Sequence, residues 1–302
     1  CDTFIRLLST STSDRIKRTQ KYCKLCINKQ TSCSHSHIGV LFSGGVDCSI
    51  LTILADKFID ADKPIDLLNV AFEKAKKSPE INWNVPDRLT GLETLKELQE
   101  LCPNRKFNFI EINVDRAELQ ENAEKLSSLV YPLENVLDES LGAALYFASR
   151  GKGQVEGVAY QSQCRVLLMG SGADEAFGGY TRHRNAFKRG GSELLAQELL
   201  SDWIRLPSRN LARDDRVIGD NGITVRAPFV EENFVKFAQS LRPLQRCYPA
   251  LEEGDKLLLR LSAFKLGLTK CCKFRKRALQ FGSRIADSRQ NAKDKSNFLH
   301  VM

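Results

Sequence analysis

Four short apolar runs stand out along the chain, with amphipathic stretches between them. Val40-Leu41-Phe42, Leu67-Leu68-Asn69-Val70-Ala71-Phe72, Phe107–Val114 and Arg165–Met169 have the length and content of buried strands. From Ser49 onward Ile50, Ile53, Leu54 and Phe58 recur at helical spacing, as do Leu92, Leu95 and Leu98 within 90–101. The stretch 116–150 is predicted helical, with Leu137, Leu141, Leu145 and Ala148 on one stripe. Strands separated by helices predict βαβ units and a parallel sheet. Residues 181–265 are predicted mostly helical, interrupted at Val225–Phe229, with Leu257, Leu258, Leu261 and Phe264 forming a late helix face. Three segments lack such patterns. Residues 73–85 are charged and irregular and suit a surface insertion, 151–162 suit a loop, and the end of the chain is polar. The expected organisation is a helical lead-in and polar linker over 1–37, with Phe4, Leu7 and Leu8 on one face. A main domain follows over 38–285, then a mobile tail over 286–302.

Composition narrows the classes. The 302 residues are 42% hydrophobic, enough for a sizeable core. No apolar run reaches the roughly 18 residues a membrane helix needs. Cys1 stands where an initiator Met would be and no signal peptide follows, so the chain reads as a fragment. The net charge is +8, from 45 basic against 37 acidic residues, with basic clusters near both ends. Few aromatics interleave with them, which argues for solvated faces and phosphate-pocket lining and against a nucleic-acid surface. Ten cysteines without a secretory signal point to reduced thiols and a cytoplasmic setting. Cys23, Cys26, Cys33, His35 and His37 could ligate zinc, but their spacing is irregular and no second Cys-x2-Cys follows. A thiol-rich surface linker is the expected reading.

The chemistry concentrates where two strand-like runs end. Val40–Phe42 passes into Ser43-Gly44-Gly45-Val46-Asp47-Cys48-Ser49 and then a helix. Such a turn aims backbone N–H groups and a helix N-terminus at one spot, an anion site and most simply a phosphate site. It is not a Walker A loop, because no Gly-Lys-Ser/Thr follows. Arg165–Met169 passes into Gly170-Ser171-Gly172-Ala173-Asp174-Glu175-Ala176-Phe177-Gly178-Gly179-Tyr180. If the two strands are neighbours, Asp47 and Asp174 face one cavity. Beside a triphosphate they would repel it without a cation, and Mg²⁺ bridging both answers this. The alternative is two helix-capping aspartates.

Ser43–Ser49 resembles the SGGxDS pyrophosphate loop of the ATP pyrophosphatases, which activate a group as its AMP adduct. Gly170–Tyr180 resembles the second signature of the asparagine synthetase family, which other SGGxDS enzymes are not expected to carry. Arg213-Asp214-Asp215-Arg216 with Arg226-Ala227-Pro228-Phe229, and Leu258-Leu259-Arg260 with Arg275–Ser283, are similar to its later segments. Ala144–Gly151 and Val217–Asp220 resemble a eukaryotic branch of it. The resemblance covers about residues 38–285.

The family likeness implies an α/β fold of the adenine nucleotide alpha hydrolase-like type: a parallel twisted sheet with a mostly helical C-terminal half. It implies an ATP- and Mg²⁺-dependent ligase that activates an aspartate-like carboxylate and aminates it with ammonia, normally drawn from glutamine by an N-terminal glutaminase domain outside these residues. Leu41, Val70 and Gly170 would line adenine and ribose. Ser43, Gly44, Gly45, Val46, Asp47, Cys48, Ser49 and Gly172 would complete the ATP site, with Asp47 and Asp174 on the metal. Lys276 or Arg277 would face the α-phosphate. Two departures oppose catalysis. Cys48 replaces a Ser, a better hydrogen-bond donor that Ser49 would have to supply. Ser171 replaces a Glu expected to handle protons. The alternative is therefore a weakened or inactive nucleotide- or partner-binding relative.

Overall fold

The computed structural model describes residues 1–28, 33–73, 82–286 and 294–296. The chain begins with α1 (Asp2–Lys17), β1 (Ile38–Leu41), α2 (Val46–Asp56), β2 (Ile65–Phe72), α3 (Pro86–Leu101) and β3 (Phe107–Val114). Then come α4 (Arg116–Glu121), α5 (Ala123–Val130), α6 (Val136–Arg150), β4 (Lys152–Val155), β5 (Val158–Gln161) and β6 (Val166–Leu168). The last part holds α7 (Ala173–Phe177), α8 (Thr181–Leu206), α9 (Ala212–Gly219), β7 (Thr224–Arg226), α10 (Glu232–Ser240), α11 (Pro243–Arg246), α12 (Leu257–Lys265) and α13 (Leu279–Gly282). A π-helical turn, Pro207–Leu211, joins α8 to α9.

One seven-stranded sheet has the order β5-β4-β3-β2-β1-β6-β7. The run from β3 to β7 is parallel, while β4 and β5 add an antiparallel hairpin at one edge. This is the α/β architecture the strand spacing predicts. Neighbouring strand residues separate cleanly between two apolar clusters. Leu67, Phe109 and Val166 pack on one side, and Leu68, Ile110 and Leu167 on the other. A strand turns successive side chains to opposite faces, so both faces are covered, as a parallel sheet requires. The first face carries α1, α2 and α12; the second carries α5, α6 and α9.

Three local expectations change. α1 runs on through the serine and threonine stretch to Lys17 because those hydroxyls are satisfied: Ser11 Oγ donates to Pro228 O and Thr12 Oγ1 to Leu8 O. Its Phe4 is fully buried, with its ring 5.3 Å from that of Phe177 and 5.2 Å from that of Phe234. Residues 151–162 form the β4–β5 hairpin, not a loop. Glu156 and Gly157 both take positive φ at its turn, the conformation a two-residue hairpin favours. The hairpin escapes an apolar pattern because its strands lie mostly exposed. It is anchored by buried Asp66, which accepts from Ser162, Asn108 and Tyr160. The helical stretch 116–150 divides into α4, α5 and α6. Most of the insertion expected at 73–85 and of the tail expected at 286–302 lies outside the described residues.

Candidate active site

β1 and β6 are adjacent and parallel, with Val40 opposite Leu168. The chain leaves β1 toward β2 and β3, then crosses to β6 on the other side, so a topological switch point lies between β1 and β6. Ligands of open α/β sheets bind at such a point, beyond the strand carboxyl ends. A cavity of about 950 Å³ opens there.

The first turn is held from below by hydroxyls. Thr90 Oγ1 donates to Ser43 O, Thr94 Oγ1 to Gly44 O and Ser49 Oγ to Gly45 O, each at 2.8 Å. Gly44 has φ +77°, and a Cβ there would collide with the Thr90 carbonyl. Only glycine therefore lets α3 press against the turn. α2 starts from Gly45 without a side-chain cap, so its first N–H groups remain available to an anion. The second turn is equally close. A Cβ on Gly170 would lie 2.8 Å from Asp47 Cβ, and one on Gly179 would collide with the Asp174 carboxylate.

The two aspartates do meet, and a side chain lies between them. Lys256 Nζ is 2.5 Å from Asp47 Oδ2 and 2.6 Å from Asp174 Oδ1. Lys276 Nζ also pairs with Asp174. Lys256 is only 1% exposed. Burial works to lower its pKa, but Asp174 and Asp47 outweigh that and hold it above the ordinary lysine range. Burial likewise works to raise the Asp174 carboxyl, and the two ammonium groups hold it far below the usual carboxylate range. Lys256 takes a left-handed φ of +54° just before α12, fixed by its N–H donating to Phe177 O. The cation between the carboxylates is thus supplied by the protein itself. Asp47 Oδ1 is buried with no hydrogen-bond partner among the described residues, which leaves one acceptor suited to a hard cation.

Of the residues singled out in the sequence, Leu41, Ser43, Gly45, Val46, Asp47, Cys48, Val70, Gly170, Ser171, Asp174, Lys276 and Arg277 line the cavity. Gly44, Ser49 and Gly172 stand behind its wall. Ser49 is fully buried, so its hydroxyl does not replace the one missing at Cys48. Cys48 Sγ donates to Gly45 O at 3.1 Å, and burial pushes the thiol up. Lys276 and Arg277 diverge: Lys276 turns onto Asp174, and Arg277 Nη1 lies 3.7 Å from Asp87 Oδ1. Leu137, Leu141 and Leu145, read as one helical stripe, form an apolar wall of the cavity, and Leu145 also packs into the core.

Among the further charged residues that line the cavity are Lys256, Asp87, Asp214 and Glu175, none given a role from the sequence. Burial pushes Asp87 up to about 7, against the pull of Arg277 and Lys276. Burial also raises Asp214, which Arg213 and the Ser171 hydroxyl oppose. Arg213 is shared between Asp214 and Asp138, at 2.7 and 2.8 Å. Burial raises Glu175 as well, while its carboxylate accepts from Tyr180 and Asn210. Arg182, paired with Asp202, and Arg205 and Arg209 also line the cavity. Asp214, in Arg213–Arg216, and Glu175, in Gly170–Tyr180, each lay in a quoted motif without an assigned role; Lys256 and Asp87 did not.

Comparison with known proteins agrees with this geometry. The sequence matches the asparagine synthase family over residues 25–194. It is 47% identical to an asparagine synthetase domain-containing protein of Drosophila melanogaster, over 97% of this chain and 53% of that protein. It is 41% identical to asparagine synthetase domain-containing protein 1 of Homo sapiens, over 99% of this chain and 54% of that protein. Asparagine synthetase B (glutamine-hydrolysing) of Escherichia coli is 25% identical over 68% of this chain and 34% of its own length. The chain thus spans about half the length of the first two relatives. With paired glycine turns at the switch point and this match across more than half its residues, the chain belongs to the asparagine synthase family.

Proposed function

We propose that this chain is the amide-forming module of an ATP-dependent ligase that converts an aspartate-like carboxylate into its amide. The observation that carries the reading is the convergence of two glycine turns, Asp47, Asp174, Lys256 and Lys276 on one cationic cavity at the switch point. An uncapped helix N-terminus and a glycine turn suit the β- and γ-phosphates. The apolar wall of Leu41, Val70, Leu141 and Leu145 suits adenine. Lys276 faces the α-phosphate, where charge grows as a carboxylate attacks phosphorus. That attack forms an acyl–AMP bond and releases pyrophosphate; ammonia then displaces AMP. Arg205 and Arg209 suit the carboxylates of the acid substrate. Asp214, which lines the same cavity as Ser171, takes the proton released by ammonia and so answers the missing acid at position 171.

Magnesium fits this reading. Asp47, through its unpartnered Oδ1, and Asp174 would hold it, and it would neutralise phosphate charge that Lys256 and Lys276 leave over. Lys256 keeps the two carboxylates in register. The nitrogen source we infer is glutamine, hydrolysed by a domain outside these residues, as the name of the E. coli relative states for that enzyme.

The test is pyrophosphate release by the purified chain with ATP, Mg²⁺, aspartate and ammonium. Release requires the acid, its continuation beyond one turnover requires the amine as well, and Asp47→Ala abolishes it. No release above that variant would sink the reading. ATP binding without turnover would leave a nucleotide-binding module.

A further inference from the structure

The fold closes the Cys23–His35 segment into a cluster that the sequence spacing alone did not favour. The Sγ atoms of Cys23, Cys26 and Cys33 and a ring nitrogen of His35 all lie within 4.8 Å of one another. His35 Nδ1 is 3.4 Å from Cys23 Sγ and 3.7 Å from Cys26 Sγ. A tetrahedral zinc ion with Zn–S of about 2.3 Å and Zn–N of about 2.0–2.1 Å has ligand–ligand edges of about 3.6–3.8 Å. The observed set is therefore within about 1 Å of a coordination shell on every edge. His37 does not join it. It lines a smaller cavity with Ile16, Lys57 and Phe58, and its carbonyl accepts from the N–H groups of Arg165 and Val166.

We propose that Cys23, Cys26, Cys33 and His35 form a structural zinc site. Three thiolates and an imidazole give a closed shell with no open position, which is the composition of structural and not catalytic zinc. Each thiol releases its proton to solvent on binding, leaving a net charge of −1 on the Zn(Cys)₃His unit. Lys17, Arg18, Lys21 and Lys24 precede and flank it in sequence.

The location explains what the metal does. Cys23 is fully buried. The Lys24 N–H donates to Gln163 O just before β6, and Lys24 Nζ donates to Asn221 O just before β7. His35 lies three residues before β1. The cluster thus ties the amino-terminal ends of β1, β6 and β7 together, at the end of the sheet opposite the glycine turns. Residues 18–37 contribute few buried apolar side chains, so a metal supplies the cross-link that packing does not. This inference is independent of the reaction assigned to the cavity.

The experiment is metal analysis of the full chain, purified under reducing conditions without added chelator. The expected content is about one zinc per chain, falling at least about tenfold in Cys26→Ser and in Cys33→Ser. Cys102→Ser, outside the cluster, keeps the full content. Should the ligand variants fail to fold, the wild-type chain gives the answer by exchange. Chelator removal followed by Co²⁺ addition produces thiolate-to-cobalt charge-transfer bands and tetrahedral d–d bands, and X-ray absorption of the zinc form reports three sulfurs and one nitrogen. Substoichiometric zinc together with an octahedral cobalt spectrum would overturn the proposal. So would a Cys23–Cys26 disulfide in chain alkylated directly on extraction.

Discussion

The turns after β1 and β6 look alike: each follows a buried strand, carries glycines and leads to an aspartate bound by Lys256. They are built differently. The first is complete within its neighbourhood, since its carbonyls are taken by Thr90, Thr94 and Ser49 and its helix N-terminus stays free. The second depends on distant partners: Lys276 and Lys256 hold Asp174, and Arg213 holds Asp214 beside Ser171 in the cavity wall. A phosphate cradle needs backbone geometry, which a local sequence can encode. Proton handling and charge balance need side chains brought from elsewhere in the fold. The departures at Cys48 and Ser171 therefore do not weigh equally. Cys48 still bonds the turn through Gly45 O, whereas Ser171 only works if Asp214 stands behind it.

The largest expected effect comes from removing what the two turns share. Lys256→Met leaves Asp47 and Asp174 buried with one cation fewer, and breaking a buried ion pair in this way costs about 3–5 kcal/mol. Urea unfolding of the variant should show that loss, together with loss of ATP binding. A stability within 1 kcal/mol of the wild type would mean that the two carboxylates do not need Lys256.

Next is the difference between the turns. Asp214→Asn should lower kcat by about 10²–10⁴ while leaving the KM for ATP unchanged, as expected for loss of a general base. Ser171→Glu in that background should restore part of the rate, because it returns a carboxylate to the same place. A parallel fall in ATP affinity would show that Asp214 supports the fold and not the second step. Gly44→Ala addresses the first turn alone. Its φ of +77° and the contact with Thr90 predict about 1–3 kcal/mol of strain. ATP binding should weaken, with no change in the ratio of acid-dependent to total turnover.

The same division decided what could be read from the sequence. The parallel sheet and both glycine turns follow from local runs such as Val40–Phe42 and from glycines that no other residue can replace, whereas the order of the strands came only with the fold. Lys256 could not be found that way. It lies 209 positions from Asp47, at the start of a helix whose visible signal is the apolar face of Leu257 to Phe264. Asp87 and Asp214 look like ordinary first-turn helix acids until the fold buries them. The β4–β5 hairpin was invisible because an exposed edge has little apolar content to alternate. The Cys23, Cys26, Cys33 and His35 set was discounted on spacing, although the fold brings their donor atoms within 4.8 Å of one another.

The remaining effect appears only as a pH dependence and concerns Asp87, which borders the first turn. Its carboxyl is 4% exposed, has an unpartnered Oδ2 among the described residues, and faces Arg277 and Lys276. Burial raises it from 3.8 to about 7. Between those values the folded chain holds a proton there that the unfolded chain has lost. The contribution of Asp87 to stability therefore falls as pH rises from about 4 to about 7, by at most about 1.4 kcal/mol per pH unit. Below that window both states are protonated, and above it both are ionised and the full cost persists. Asp87→Asn stays neutral throughout, so its stability relative to the wild type should climb across the window and level off beyond it. Urea midpoints for both proteins at pH 4.5, 5.5, 6.5 and 7.5 measure this. A constant difference across those pH values would mean that Arg277 and Lys276 already keep Asp87 ionised. The nucleotide side of the cavity would then be electrostatically settled before any ligand arrives.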